Sequence, residues 1–306
     1  MGESTAARSR TPIVVALSVG FGVLIVSAAV TFWILMSATP EAAPVPSPTA
    51  SSSAPVGTPT PTPTPTPTGP APDANVYDTS TLPRVDVFAV VPALPVDDDP
   101  TGSFTGEAAH AREEAIPVFA APSTPPVAAL ARDQEFDGTV VPVIERHAHW
   151  LRVLLPGRQA PPSAGDPGQL TGWVRATDVD LTTQDARVEV SISARTIEIV
   201  RGDARELVAG DFAWGVESTP TPTGRSFVMT TAVVPEFAYT RGNPITYLSV
   251  QSPTLDGFGG ADVAVTAFHY HDSRSGSISN GCLRVDAAAA AALAALPHGT
   301  PVTISP

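Results

Sequence analysis

The chain has 306 residues, 34 of them Pro, and a net charge of −13. The prolines cluster, so the folded part is smaller than the length suggests. All 17 basic residues are Arg, and the acidic excess falls mainly on residues 76–185. That balance argues against nucleic acid as a partner, because phosphate binding needs a cationic face.

Residues 1–12 carry Arg8 and Arg10, and the run Ile13–Met36 contains no charged residue. It exceeds the roughly 20 residues needed to cross a ~30 Å hydrocarbon core as a helix. A transmembrane helix is expected at 13–36, with a cytoplasmic N-terminus and the rest of the chain outside. A cleaved signal peptide is the alternative, with small residues at Ser37-Ala38-Thr39 as the cleavage region. Residues 37–75 include the tract PTPTPTPTPTGPAP. Proline fixes φ and donates no backbone hydrogen bond. The tract is therefore expected to be an extended spacer, reaching on the order of 100 Å if stiff. Such a tether suits a head that works on the cell wall.

Residues 76–109 stay unassigned: Val85–Val91 reads as a strand, and the stretch Asp97–Gly106 behind it as a loop. Over 110–182, short β-rich runs occur at Ile116–Phe119, Thr139–Ile144, His149–Leu155, Gly172–Ala176 and Asp178–Leu181, separated by turn clusters. That spacing suggests a small barrel. The segments HWLRVLLPG and GWVRATDVDL resemble a bacterial SH3-type domain, a class whose members often bind wall peptide or glycan. From 186 to 306 period-two alternation is stronger, at Arg187–Ile192, Thr196–Val200, Glu206–Val208, Phe212–Val216, Arg225–Met229, Thr246–Val250 and Asp262–Phe268. One helix is expected from Asp286, its N-cap, to Leu296, before Pro297 and a last strand at Val302–Ile304. The expected fold class is mainly β, with one helix in the last segment.

Cys282 is the lone cysteine, so an exported chain leaves it either as core filler or as a reactive thiol. A thiol is only a few per cent ionised at neutral pH, so a nucleophilic Cys needs a base or a cationic neighbour. His269 and His271 precede it by 13 and 11 positions, across a Gly/Ser-rich loop. Gly281 lets a substrate carbonyl approach the backbone, and N–H groups of such a turn can face an oxyanion. Arg284 is placed to hold a carboxylate or to steady the loop. His269 is the preferred base because it closes a strand; His271 stays the alternative. His110, His147, His149 and His298 have no comparable setting.

The apolar strand Val263–Phe268 ending in His269, followed by Ser279-Asn280-Gly281-Cys282-Leu283-Arg284, resembles the L,D-transpeptidase (YkuD-type) catalytic domain. Trp214–Gly224, with its Thr-Pro-Thr-Pro-Thr-Gly ending, resembles the element that precedes the family's central strand. Tyr270 stands where the family usually has Gly, and the loop from His269 to Ser279 is short. The resemblance implies that Cys282, activated by His269, attacks a tetrapeptide stem of peptidoglycan, releases D-Ala and forms a 3→3 cross-link. It further implies an oxyanion site at the Gly281 and Cys282 N–H groups, with Ser279 and Asn280 in the same loop, and a Tyr270 carbonyl that orients His269. No metal or organic cofactor is called for, and a monomer is expected. An L,D-carboxypeptidase and a wall-binding protein without catalysis are the rival readings.

Overall fold

In the computed structural model the described residues are 69–133 and 140–306, all inside one contact unit, Thr64–Pro306. The expected membrane helix at 13–36 and the spacer up to residue 68 lie outside them. Among the described residues no helix is long and apolar enough to cross a membrane.

The first sheet contains β1 (Arg84–Val85), β2 (Glu107–Ala111), β3 (Ala115–Phe119), β4 (Pro126–Ala131), β5 (Val140–Arg146), β6 (Trp150–Arg158), β7 (Gln169–Arg175) and β8 (Val179–Thr183). Its order is β1-β4-β3-β7-β6-β5-β2-β8. The two Trp-bearing segments pair as antiparallel β6 and β7, with Trp150 opposite Arg175 and Arg152 opposite Trp173. Trp150 is fully buried, whereas Trp173 is half-buried and stacks on His147. Strands β2 and β4 escape the sequence reading because they are built largely from alanine, which carries little β signal. Buried Ala108, Ala109, Ala128 and Ala129 show that close packing, not propensity, makes them strands.

The segment 76–109 is an integral part of this sheet. Val85, Val87, Val91 and Leu94 are all buried, yet only Arg84–Val85 forms a strand. The Asp86 carboxylate takes the Phe88 N–H at 2.8 Å and its carbonyl takes the Ala89 N–H at 3.1 Å. These local bonds turn the chain where alternation alone predicts a strand through Val91. Residues 69–75, expected to be the end of a free spacer, are pinned. The buried Trp150 indole donates to Ala71 O at 2.8 Å, and Arg175 donates to Asn75 O at 2.7 Å. A buried indole N–H needs an acceptor, and the chain supplies its own.

The second sheet contains β9 (Ala186–Ser191), β10 (Thr196–Arg201), β11 (Ala204–Ala209), β12 (Ala213–Gly215), β13 (Gly224–Ala232), β14 (Ile245–Gln251), β15 (Val265–Tyr270), β16 (Gly276–Ser279), β17 (Leu283–Val285) and β18 (Pro301–Ser305). Its order is β11-β10-β9-β18-β13-β14-β15-β17-β12-β16. Helix α1 (Ala287–Ala294) starts where expected: Asp286 caps it by accepting the Ala289 N–H at 2.8 Å. Leu293, with Leu296 just beyond the helix, packs against Val228, Leu248, Phe268, Leu283 and Val285. Because strand side chains alternate, the opposite face of β13 and β14 carries Phe227, Met229 and Tyr247. These join the core of the first sheet. The central strands are therefore covered on both faces, by α1 on one side and by the residues before 185 on the other.

Polar contacts cross the same seam. Ser249 Oγ donates to Gln169 Oε1 at 2.6 Å, and Gln251 Nε2 donates to Val87 O at 2.8 Å. Arg225 forks onto Asp97, Nε to Oδ2 at 3.0 Å and Nη2 to Oδ1 at 2.6 Å, with both side chains under 5 % exposed. Removing one partner of such a pair leaves an uncompensated buried charge, at a cost of about 3–5 kcal/mol. Arg225→Met is thus expected to lower Tm by on the order of 10 °C for a body of this size. The double variant with Asp97→Leu should recover most of the loss, a recovery that thermal melts read directly.

Candidate active site

Strands β15 and β17 run parallel, with Phe268 beside Leu283, His269 beside Arg284 and Tyr270 beside Val285. Phe268, Leu283 and Val285 enter the α1-side core. Alternation then turns His269 and Arg284 to the other face, and Cys282, two residues before Arg284, turns the same way. His271 follows on that face, its ring centroid 6.3 Å from that of His269. These residues line a cleft of about 160 Å3 together with Ser279, Asn280, Tyr239, Phe258 and the chain from Ala264 to Thr266. The histidines, cysteine loop and arginine singled out from the sequence thus line one cleft. Tyr270 is the exception: its ring packs on the α1 side and its hydroxyl bonds Asp272 at 2.7 Å.

The cysteine loop is held by hydrogen bonds that do not involve the thiol. Gly281 sits at φ +113°, a conformation that L side chains rarely adopt. Ser279 Oγ accepts the Gly281 N–H at 3.1 Å and donates to Cys282 O at 2.6 Å. The Gly281 N–H, which the family resemblance assigns to the oxyanion, is thereby engaged inside the loop; the Cys282 N–H has no such bond. From below, Thr221 Oγ1 donates to Gly281 O at 2.8 Å and accepts the Gly215 N–H at 2.9 Å. Val216 N–H donates to Ser279 O at 3.0 Å. This close crossing requires Gly215, since a Cβ there would lie 2.2 Å from Thr219 O. The Thr-Pro-Thr element thus supports the loop that carries Cys282.

The hydrogen bonds assign different tautomers to the two imidazoles. His269 Nδ1 lies 2.9 Å from Tyr270 O, which can only accept, so Nδ1 carries the proton and Nε2 keeps its lone pair. His271 Nδ1 accepts the Ser273 N–H at 2.9 Å, so in the neutral ring its proton is on Nε2. Burial lowers the His269 pKa to about 4, with Arg284 and His271 pushing the same way and the Tyr270 bond opposing. His269 as a residue is only 6 % exposed. His271 is lowered by burial and by Arg284. Burial raises the Cys282 thiol, against the Ala267 N–H and the Arg284 charge, which favour the thiolate. Sγ lies 3.8 Å from Val265 O, a weak contact. The resting pair is a neutral thiol and a neutral imidazole. Arg284 has a buried Nε without a hydrogen-bond partner and forms no ion pair among the described residues.

Two cleft residues were invisible in the sequence. Tyr239, on the 3-10 turn Ala238–Thr240, sets its ring edge-on to His269 at 5.3 Å and 5.8 Å from that of His271. Phe258 sits at the cleft mouth, 55 % exposed. Both lie in irregular loops without periodicity, and an exposed aromatic between Gly residues, as in Gly257-Phe258-Gly259, is the one signal available.

Residues 185–304 match the family model of the L,D-transpeptidase catalytic domain (YkuD). No curated protein matches the chain. Among solved structures it is similar to an L,D-transpeptidase from Mycobacterium smegmatis, at 14 % identity over 52 % of this chain and 92 % of that one, with a TM-score of 0.31. An L,D-transpeptidase from Mycobacterium tuberculosis H37Rv is 15 % identical over 52 % of this chain and 91 % of its own, with a TM-score of 0.32. The catalytic domain of an E. faecium L,D-transpeptidase is 19 % identical over 39 % of this chain and 96 % of its own, at a TM-score of 0.26.

Proposed function

We propose that the chain is a peptidoglycan L,D-transpeptidase in which Cys282 is the nucleophile and His269 the base. The observation that carries this reading is the tautomer of His269. Its Nε2 lone pair belongs to a ring in the cleft of the chain's one thiol, while the Nε2 of His271 carries a proton. Cys282 Sγ attacks the carbonyl that joins diaminopimelate to the terminal D-Ala of a tetrapeptide stem, and its proton passes to His269 Nε2. The Cys282 N–H, which is not engaged inside the loop as the Gly281 N–H is, meets the tetrahedral oxyanion in this reading. As the C–N bond breaks, His269 returns the proton to the departing D-Ala amine, leaving a thioester. The amine of a second stem attacks the thioester, loses a proton to His269 and releases the thiol, giving a 3→3 link. Arg284, without an anionic partner among the described residues, suits a carboxylate of the stem. The chemistry calls for no metal or organic cofactor.

The apolar run 13–36 and the spacer behind it support a single-pass anchor, N-terminus inside, with the folded part acting outside as a monomer on the wall. Residues 110–182, SH3-like by sequence, would then sit beside the substrate polymer. Incubating the full chain with tetrapeptide muropeptides tests the reading: free D-Ala together with cross-linked dimers is expected. D-Ala with only tripeptide monomers would make the chain an L,D-carboxypeptidase, with water taking the place of the acceptor amine. Intact tetrapeptides, with binding but no D-Ala, would leave a wall-binding protein and remove the enzymatic reading.

A further inference from the structure

Arg158 ends β6 in the first sheet, yet its side chain works in the second. Gly157, at φ +90°, allows the turn at residues 86–91 to close on the strand end: a Cβ there would lie 2.7 Å from Asp86 O. Arg158 N–H donates to Ala89 O at 3.1 Å and Arg158 O accepts the Val91 N–H at 3.0 Å, which fixes the backbone. The side chain is only 4 % exposed, and its Nη2 donates to two carbonyls, Asp256 O at 2.7 Å and Asp262 O at 2.8 Å. These are the two ends of one tight loop. Between them Phe258 N–H donates to Ala261 O at 3.1 Å, and a Cβ on Gly257 would lie 2.1 Å from Ala261 O.

A loop that contains Gly257, Gly259 and Gly260 loses much conformational entropy when ordered, so one group that ties both of its ends has leverage. Ser163 N–H adds a second tie from the first sheet, to Asp256 Oδ1 at 2.9 Å. Phe258, bridged to Ala261 beside the Gly259-Gly260 turn, lines the cleft, and the loop's far leg runs into Val265, whose carbonyl faces Cys282 Sγ. Arg158 keeps Nε and Nη1 buried without partners. A buried guanidinium with two unmet donors is a cost to stability, so contact-making alone is a poor account of it.

We propose that Arg158 is a positioning residue for the cleft: its guanidinium, supplied by the first sheet, closes the Gly257–Ala261 loop and holds Phe258 against the bound stem peptide. Donor affinity then depends on residues outside the 185–304 segment. The activity readout rests on the transpeptidase reading; the exchange readout does not. The test is a cycle of Arg158→Met, Phe258→Ala and the double variant in the full chain. D-Ala release from tetrapeptide stems and amide hydrogen exchange over residues 256–263 are measured for each. Each single change is expected to raise KM about 10-fold with a smaller change in kcat, and the double variant to be no worse than either single, because both remove one contact. Exchange over the loop should quicken in Arg158→Met, and Arg158→Lys should restore part of the protection. Multiplicative KM effects, or loop exchange unchanged by Arg158→Met, would overturn the proposal. If the native chain releases no D-Ala, the transpeptidase reading falls and the exchange result alone decides the clamp.

Discussion

Cys282→Ser is expected to lower D-Ala release from tetrapeptide stems by at least about 10³-fold, while the melting temperature barely moves. The loss follows from acidity. Burial already raises the thiol, and a hydroxyl in the same place is far harder to ionise, with one neutral imidazole to take its proton. The unchanged stability follows from how the loop is held. Its bonds run through Ser279 Oγ, Thr221 Oγ1 and the Val216 N–H, whereas Sγ makes the 3.8 Å approach to Val265 O and a contact with the Ala267 N–H, neither of which ties the loop's turn. Mass spectrometry after exposure to a carbapenem supplies a second readout, since the native chain should gain one covalent adduct at Cys282 and the serine variant none. Turnover by the serine variant at a tenth of the native rate or better would remove the thiol from the mechanism.

The contrast between Cys282 and Arg158 shows what a sequence can reveal of such a site. Cys282, Arg284 and His269 stand within sixteen residues of one another, and the strand pattern before His269 and the turn residues before Cys282 place them by local rules. The support of the site is non-local. Arg158 reaches a carbonyl 98 positions away, and Arg225 meets a carboxylate 128 positions away. No periodicity links such pairs. The same holds for strands: β10 and β13 announce themselves through alternation, whereas β16 and β17, which flank the cysteine, are three or four residues long and owe their pairing to neighbours. The sequence changes pattern near 185, yet one contact unit runs through that point. That the two sides share a core was not legible, because Phe227 and Met229 look like any buried strand residues until it is known what covers them.

That shared core bears on how the chemistry is tuned. The seam places first-sheet residues behind β13 and β14, and β14 in turn pairs with β15, which carries His269. Burial, from whichever side, is what keeps the imidazole neutral.

Acylation by the native chain is accordingly expected to persist in acid, losing its base only as pH approaches 4. A protonated ring cannot accept the thiol proton, so the neutral fraction sets the acid limb. With the pKa lowered to about 4, more than about nine-tenths of His269 is still neutral at pH 5.5, against roughly a tenth for an unperturbed imidazole. Above that limb the rate through His269 should be level across neutrality, rising only where the thiol, raised by burial, begins to ionise. His269→Gln should slow acylation by about 10²–10⁴-fold at pH 7 and abolish the acid limb, leaving a rate that rises about tenfold per pH unit with the thiolate. Stability carries the same signature. Between pH 6.5 and about 4 the unfolded chain takes up a proton at His269 that the folded chain refuses, so this contribution is full above 6.5 and is lost as pH falls toward 4. It amounts to at most about 3 kcal/mol. Stopped-flow acylation with a chromogenic carbapenem across pH 4–10 reads the first effect, and urea melts at pH 4.5 and 7 read the second. An acid limb well above pH 4 that disappears in His271→Gln rather than in His269→Gln would transfer the role of base to His271.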